Sequence, residues 1–173
     1  SLQKEGTSLA CFPEMAICGY GCEDVFLADY LYEESLEVLK DLVPYTAGMA
    51  VGIGMPLKVR EKRYSAAAFV VDGSIVGFYC KKNLANDGLH YEHRWFTPWQ
   101  EGLIDSVTIT GEKYPAGDIQ FILNGISIGF EVCEDAWVDC RFTGNQQVSS
   151  TSIVLNPSAS HFAFRKNIKR REL

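Results

Sequence analysis

The sequence lacks any apolar stretch of membrane-spanning length and any basic-then-apolar leader, so it reads as a cytoplasmic protein with no membrane partner. Positive charge is in deficit: the net charge of −6 removes the basic footprint of a nucleic-acid binder. Histidine is scarce, with three in 173 residues, and none follows a strand-like run as a Cys-His-Asn hydrolase would require. The six cysteines (11, 18, 22, 80, 133 and 140) lie scattered among apolar runs without a C-x-x-C pair. Cys18 and Cys22 are four apart, but no second Cys/His pair at ligand spacing follows. His90 and His93 sit in a polar loop with Tyr91, Glu92, Arg94 and Trp95, so no metal site is expected. The length and the regular apolar runs do not suit a disulfide scaffold. Repeats and low-complexity segments are absent too.

What is present is organised around Ile126 to Trp137. An apolar run ends at Cys133, and Glu134-Asp135 follow at once, which reads as a buried strand entering a helix. A thiol at such a corner stands clear of the sheet, near N–H groups and a helix dipole that favour its thiolate. Its plainer reading is a small buried core residue.

Upstream, Thr7–Phe12 reads as a strand stopped by Pro13, with Glu14 at its C-terminal end, where α/β sheets place working residues. Gly19-Tyr20-Gly21 suits a loop that wraps a small ligand. Leu27, Leu31, Leu36, Val38, Leu39 and Leu42 give residues 27–43 one apolar helical face. Met49–Met55, closed by Pro56, and Tyr64–Val71 read as strands, and Asp72-Gly73 turns the chain into a strand over Ser74–Tyr79. Lys81 and Lys82 come next, then a polar aromatic loop over residues 85–102. Pro115-Ala116-Gly117 reads as a turn. Asn124-Gly125 joins strands Ile119–Leu123 and Ile126–Phe130 in a hairpin, and Ser152–Leu155 is a last strand before Asn156-Pro157-Ser158-Ala159-Ser160. The basic segment from His161 is helix-like. This pattern predicts a single α/β layered domain with a mixed sheet.

Glu14, Lys81 and Cys133 thus all stand at strand ends. Amide hydrolysis through a thioester needs a nucleophilic thiol, a carboxylate to carry its proton to leaving ammonia, and a cation for the oxyanion. Spacing alone leaves open that Glu14 is a loop carboxylate, Lys81 a surface charge and Cys133 a core thiol.

Phe12-Pro13-Glu14, Tyr79-Cys80-Lys81-Lys82-Asn83-Leu84 and Phe130-Glu131-Val132-Cys133-Glu134-Asp135-Ala136-Trp137 together resemble the motifs of the nitrilase (carbon-nitrogen hydrolase) superfamily, in its order. Leu84-Ala85-Asn86-Asp87-Gly88, Glu92 to Trp99 and Asn156 to Ser160 are most similar to the glutaminase domains of glutamine-dependent NAD synthetases. The resemblance implies an αββα four-layer sandwich with mixed sheets. It implies Glu14 as general base, Lys81 as oxyanion stabiliser and Cys133 as nucleophile, Lys81 being three residues before Leu84. Glu92 falls where the family has a second glutamate, to orient Lys81 or the leaving group; a salt bridge with Arg94 is its alternative. Ser158 and Ser160, with Glu134, are implied to hold the α-amino acid end of glutamine, or the two serines cap the last helix. The chain departs from the wider family in two places: Cys80 replaces the frequent arginine before the lysine, and Asp87 stands where many relatives carry an aromatic residue.

No Ser-Gly-Gly-x-Asp-Ser phosphate loop occurs, so ATP and Mg²⁺ would belong to a synthetase domain elsewhere, and the glutaminase reaction is expected to need no cofactor. Glutamine, that synthetase domain as receiver of ammonia, and further copies of the chain in a homo-oligomer are the implied partners. The chain opens on a helix-end-like Ser1–Gly6 and closes on a helix cut in mid-course, which suggests a fragment of residues 1–173 incomplete at both ends and poorly stable alone. The readings kept beside glutaminase are an amidase or carbamoylase acting on another small amide, and a catalytically silent assembly piece.

Overall fold

The computed structural model describes residues 2–88, 90–138, 151–161 and 163–171. Two sheets stack face to face. The larger is built from β1 (Leu9–Cys11), β2 (Ala50–Val59), β3 (Lys62–Val71), β4 (Ser74–Cys80), β5 (Ile104–Ile109) and β6 (Glu112–Gly117), in the order β1-β2-β3-β4-β6-β5. The smaller holds β7 (Phe121–Leu123), β8 (Ile126–Phe130) and β9 (Ile153–Leu155) in sequence order. Both are mixed: β1–β2, β4–β6 and β8–β9 run parallel, the other pairs antiparallel. The chain thus has the nitrilase-type α/β architecture expected, in part: one helical layer and both sheets.

The alternation of side chains in β2 and β3 sets the layers. Val51, Ile53, Met55, Leu57 and Val59, with Ala66, Ala68 and Val70, face α1 (Asp29–Leu42) and pack on its Leu39 and Leu36. Ala50, Ala67 and Phe69 face the smaller sheet and meet Phe121, Ile128, Phe130 and Leu155. The buried stripe of α1 is Tyr32, Ser35 and Leu39, whereas Val38 and Leu42 are exposed, so the apolar face is narrower than the sequence pattern indicates. Its first turn is held by Asp29, which accepts from Lys58 at 3.1 Å and Arg63 at 2.9 Å on the β2–β3 hairpin.

The expected hairpins form. Asp72 and Gly73 have φ of 47° and 74°, and Asn124 and Gly125 have 50° and 79°, as tight two-residue turns demand. Three readings are corrected. Pro56 does not close β2 but lies within it opposite Ser65; β1 pairs with β2 only as far as Gly52, and proline is tolerated where a strand edge is unpaired. Pro115-Ala116-Gly117 is the end of β6, not a turn, and β5 before it went unread. The closing helix, α2 (Lys166–Arg170), is confined to five residues. Among the described residues no helix is long and apolar enough to cross a membrane.

Candidate active site

Glu14, Lys81 and Cys133 each leave a sheet at the C-terminal end of a strand. Beyond β1, Pro13 and Glu14 cross over β2 at Gly54, where an added Cβ would strike Pro13 O and come within 2.6 Å of Glu14 Cα. Only a residue without a side chain lets the Glu14 turn lie so close to the strand. Lys81 follows β4 with the parity of Tyr79, so both point between the sheets; its N–H bonds Ser65 O and its carbonyl accepts from Trp99 N. Cys133 follows β8 on a corner with φ of 48°, a left-handed conformation that costs a side-chain-bearing residue energy and so marks a constrained site. The Cys133 N–H donates to Pro157 O at 3.0 Å, tying this corner to the loop after β9. The chain turns there through a short 3-10 segment, Cys133–Ala136, where the sequence reads as entering a helix.

The turn after β1, the end of β4 and a short 3-10 turn, Glu92–Arg94, bring Glu14, Lys81 and Glu92 into one fully buried cluster. Lys81 Nζ donates to Glu14 Oε1 at 2.9 Å and to both Glu92 oxygens at 2.8 Å. Ser65 Oγ donates to Glu14 Oε1 at 3.0 Å, Tyr20 OH to Glu92 Oε1 at 2.6 Å, and Ala85 N–H to Glu92 Oε2 at 2.8 Å. Glu92 therefore grips Lys81, while Arg94 forms a bidentate pair with Asp24 at 2.6 and 2.7 Å. Lys82 points elsewhere and pairs with Asp118 at 3.0 Å.

One ammonium between two carboxylates leaves the cluster with an excess negative charge, and the ionisations reflect it. Burial raises the Glu14 carboxyl above the usual range; Lys81 opposes this and Glu92 adds to it. Burial would lower Lys81, but Glu14 and Glu92 outweigh it and raise the ammonium further. The Cys133 thiol is pushed up to about 11 by burial and then by the charge of Glu14, against the pull of Lys81. Cys133 thus rests as a thiol, not as the thiolate its corner suggests. Glu14 Oε2 is buried and makes no hydrogen bond among the described residues, so the cluster holds an unused basic oxygen.

Cys133 opens onto a cavity of about 690 Å³ whose walls include Glu134 and Ser160. Of the implied substrate contacts, these two share the cavity with the thiol. Ser158 does not: its hydroxyl donates to Asn156 Oδ1 at 2.6 Å, and it lines a separate depression beside Cys11 and Phe12.

Sequence reasoning missed Asp135, which it took only as a helix-starting acid. Its Oδ1 accepts from Asn83 N at 2.8 Å, Asn83 Nδ2 at 3.0 Å and Lys82 N at 3.2 Å. Its Oδ2 accepts from Tyr79 OH at 2.9 Å and Val132 N at 3.1 Å. One buried carboxylate thereby pins the lysine segment to the cysteine corner. Tyr20 and Ser65 were missed as well; the Gly19-Tyr20-Gly21 loop, expected to wrap a ligand, closes on Glu92 instead.

A protonated thiol, a buried carboxylate with a spare oxygen and a fixed ammonium are the means of an acyl-transferring cysteine hydrolase. The chain belongs to the carbon-nitrogen hydrolase family, whose family model, Carbon-nitrogen hydrolase, matches residues 1–143. It is 33% identical over 93% of its length to a glutamine-dependent NAD(+) synthetase of Rattus norvegicus, and 32% identical over 99% to one of Saccharomyces cerevisiae. It spans 24% and 26% of those relatives, about a quarter of their length. The crystal structure of a glutamine-dependent NAD(+) synthetase from Cytophaga hutchinsonii superposes with a TM-score of 0.89 at 35% identity, over 99% of this chain and 28% of that one. An amidase from Nesterenkonia sp. shares the fold, with a TM-score of 0.66 at 16% identity over 96% of this chain and 57% of that one.

Proposed function

We propose that the chain is a glutamine amidohydrolase that supplies ammonia for NAD synthesis from deamido-NAD. The observation that carries this reading is the buried Glu14–Lys81–Glu92 cluster beside the Cys133 corner, in a chain more than 30% identical to glutamine-dependent NAD synthetases. Cys133 Sγ attacks the side-chain amide carbon of glutamine as Glu14 takes the thiol proton. Lys81 stabilises the oxyanion, held in place by Glu92. Glu14 returns the proton to the nitrogen, the C–N bond breaks, and ammonia leaves a glutamyl thioester on Cys133. Water, deprotonated by Glu14, adds to the thioester; glutamate departs and the thiol is restored. Side chains and water suffice for these steps, so ATP and Mg²⁺ fall to the synthetase domain that receives the ammonia. Glu134 and Ser160 line the thiol's cavity and are the groups assigned to the α-amino acid end of glutamine.

Intact-mass measurement with an electrophilic glutamine analogue tests the reading. A single adduct, lost in Cys133→Ala and suppressed by glutamine, is expected. No adduct in a folded protein, or release of acid from other small amides in preference to glutamine, overturns it.

A further inference from the structure

One cluster of side chains lining the Cys133 cavity is not used by this chemistry. Asp87 and His90, on the loop after β4, meet His161, on the segment after β9, and one ligating atom from each lies within 4.8 Å of the others. His90 Nδ1 is 3.0 Å from Asp87 Oδ1 and 3.2 Å from Oδ2. His161 Nδ1 is 4.0 Å from Asp87 Oδ2, and the two imidazole rings are 5.0 Å apart, tilted by 34°. Two features suggest a ligand here. The His161 Nδ1 atom is buried yet makes no hydrogen bond among the described residues, a state that buried polar atoms seldom keep. The set of two imidazoles and a carboxylate matches the ligands of tetrahedral zinc, which hold the ion at about 2.0–2.2 Å. Ligand atoms on such an ion stand roughly 3.4 Å from one another, so the gaps present close with side-chain shifts on the order of 1 Å.

We propose that Asp87, His90 and His161 form a binding site for a zinc-class divalent cation that closes the mouth of the Cys133 cavity. The ion joins two walls of the cavity. One is the loop between Lys81 and Glu92; the other is the segment after β9, whose Pro157 carbonyl accepts from the Cys133 N–H. Sequence spacing hid the site, because His161 lies 71 positions beyond His90 and the nearer His93 is not part of the cluster. The ion takes no part in the hydrolysis; it restricts entry to the thiol.

Cobalt and zinc titrations of the Cys133→Ala protein test the site without the nucleophile's sulfur. One equivalent of Co²⁺ should bind with the d–d absorption of a nitrogen–oxygen set and no thiolate charge-transfer band, and Zn²⁺ should displace it. Loss of a group that merely supports a metal ligand costs about 10–100-fold in affinity, so His161→Ala and Asp87→Ala should each cost at least about 100-fold, with far-UV circular dichroism unchanged. A thiolate band would place the ion on other cysteines, and unchanged affinity in both folded variants would place it elsewhere; either overturns the proposal. With Cys133 present, Zn²⁺ should slow alkylation of the thiol in the wild-type protein and not in His161→Ala. Equal slowing in both would mean that zinc binds Cys133 directly, and would overturn the proposed closure.

Discussion

Burial and the charge of Glu14 hold Cys133 protonated at neutral pH, with a pKa of about 11, and Lys81 only partly offsets them because its charge is shared by two carboxylates. Two consequences separate the residue's reactivity from its catalysis. Alkylation by a small generic reagent should be slow at neutral pH and climb until the pH passes about 11. In Glu14→Gln a negative neighbour is gone, so the midpoint of that profile should move down, while glutamine hydrolysis by the proposed mechanism, in which Glu14 carries the proton, should fall by about 10²–10⁴-fold. A midpoint that stays or rises would refute the electrostatic account. The same shift has a stability side. The folded pKa of Cys133 is raised, so its contribution is present in full below the unfolded value near 9 and is lost as the pH rises through about 11. Of these residues, Glu14, Lys81, Glu92 and Cys133 were legible in the sequence because each sits in a motif of consecutive residues. Tyr20 and Ser65 were not, since their partners Glu92 and Glu14 lie 72 and 51 positions away, and no local pattern encodes such a pairing.

At the scale of elements, the two segments that deliver Lys81 and Cys133 are joined by Asp135. Among the described residues, the five groups that bond its carboxylate are all donors: Tyr79 OH, three backbone N–H groups and the Asn83 amide. Asp135→Asn keeps the shape but turns one oxygen into a donor, which must face at least one N–H or O–H. A buried group left unsatisfied costs about 1–3 kcal/mol, and the fall in the urea midpoint should reflect a loss of at least that size. Hydrolysis should fall further than the folded fraction does, because the lysine segment and the cysteine corner lose their common anchor. An activity loss that only tracks unfolding would make Asp135 a structural residue alone. The strands showed a similar division in legibility. β2, β3 and β4 carry long apolar runs, and Asp72-Gly73 and Asn124-Gly125 announce their hairpins. β5 is an edge strand of the larger sheet and β6 its inner neighbour, with Ser106, Thr108 and Lys113 interrupting the apolar residues, so β5 is hard to read from the sequence and Pro115-Ala116-Gly117 imitates a turn.

For the molecule as a whole, the site is divided between two bodies. Glu14, Lys81 and Glu92 hang from the larger sheet and its loops, and Cys133 hangs from the smaller, so the packing of one sheet on the other sets where the thiol stands. Phe130, at the end of β8, is the central spacer. Its ring lies 5.8 Å from Phe69, 5.9 Å from Tyr79 and 5.9 Å from Phe121, and a Cβ on Gly52 would come within 2.9 Å of it. Removing the ring in Phe130→Ala should cost about 3–5 kcal/mol through lost burial and the cavity left behind. It should also let the sheets settle closer, moving Cys133 relative to the fixed carboxylate–ammonium cluster. A misplacement of about 1 Å costs on the order of 10²-fold in rate, so kcat measured at a temperature where the variant is folded should drop by about that factor. Phe130→Leu, which restores much of the volume, should recover stability before it recovers rate, because volume keeps the sheets apart but only the ring's shape keeps their register. Equal recovery of both would mean that the spacing between the sheets does not govern the reaction.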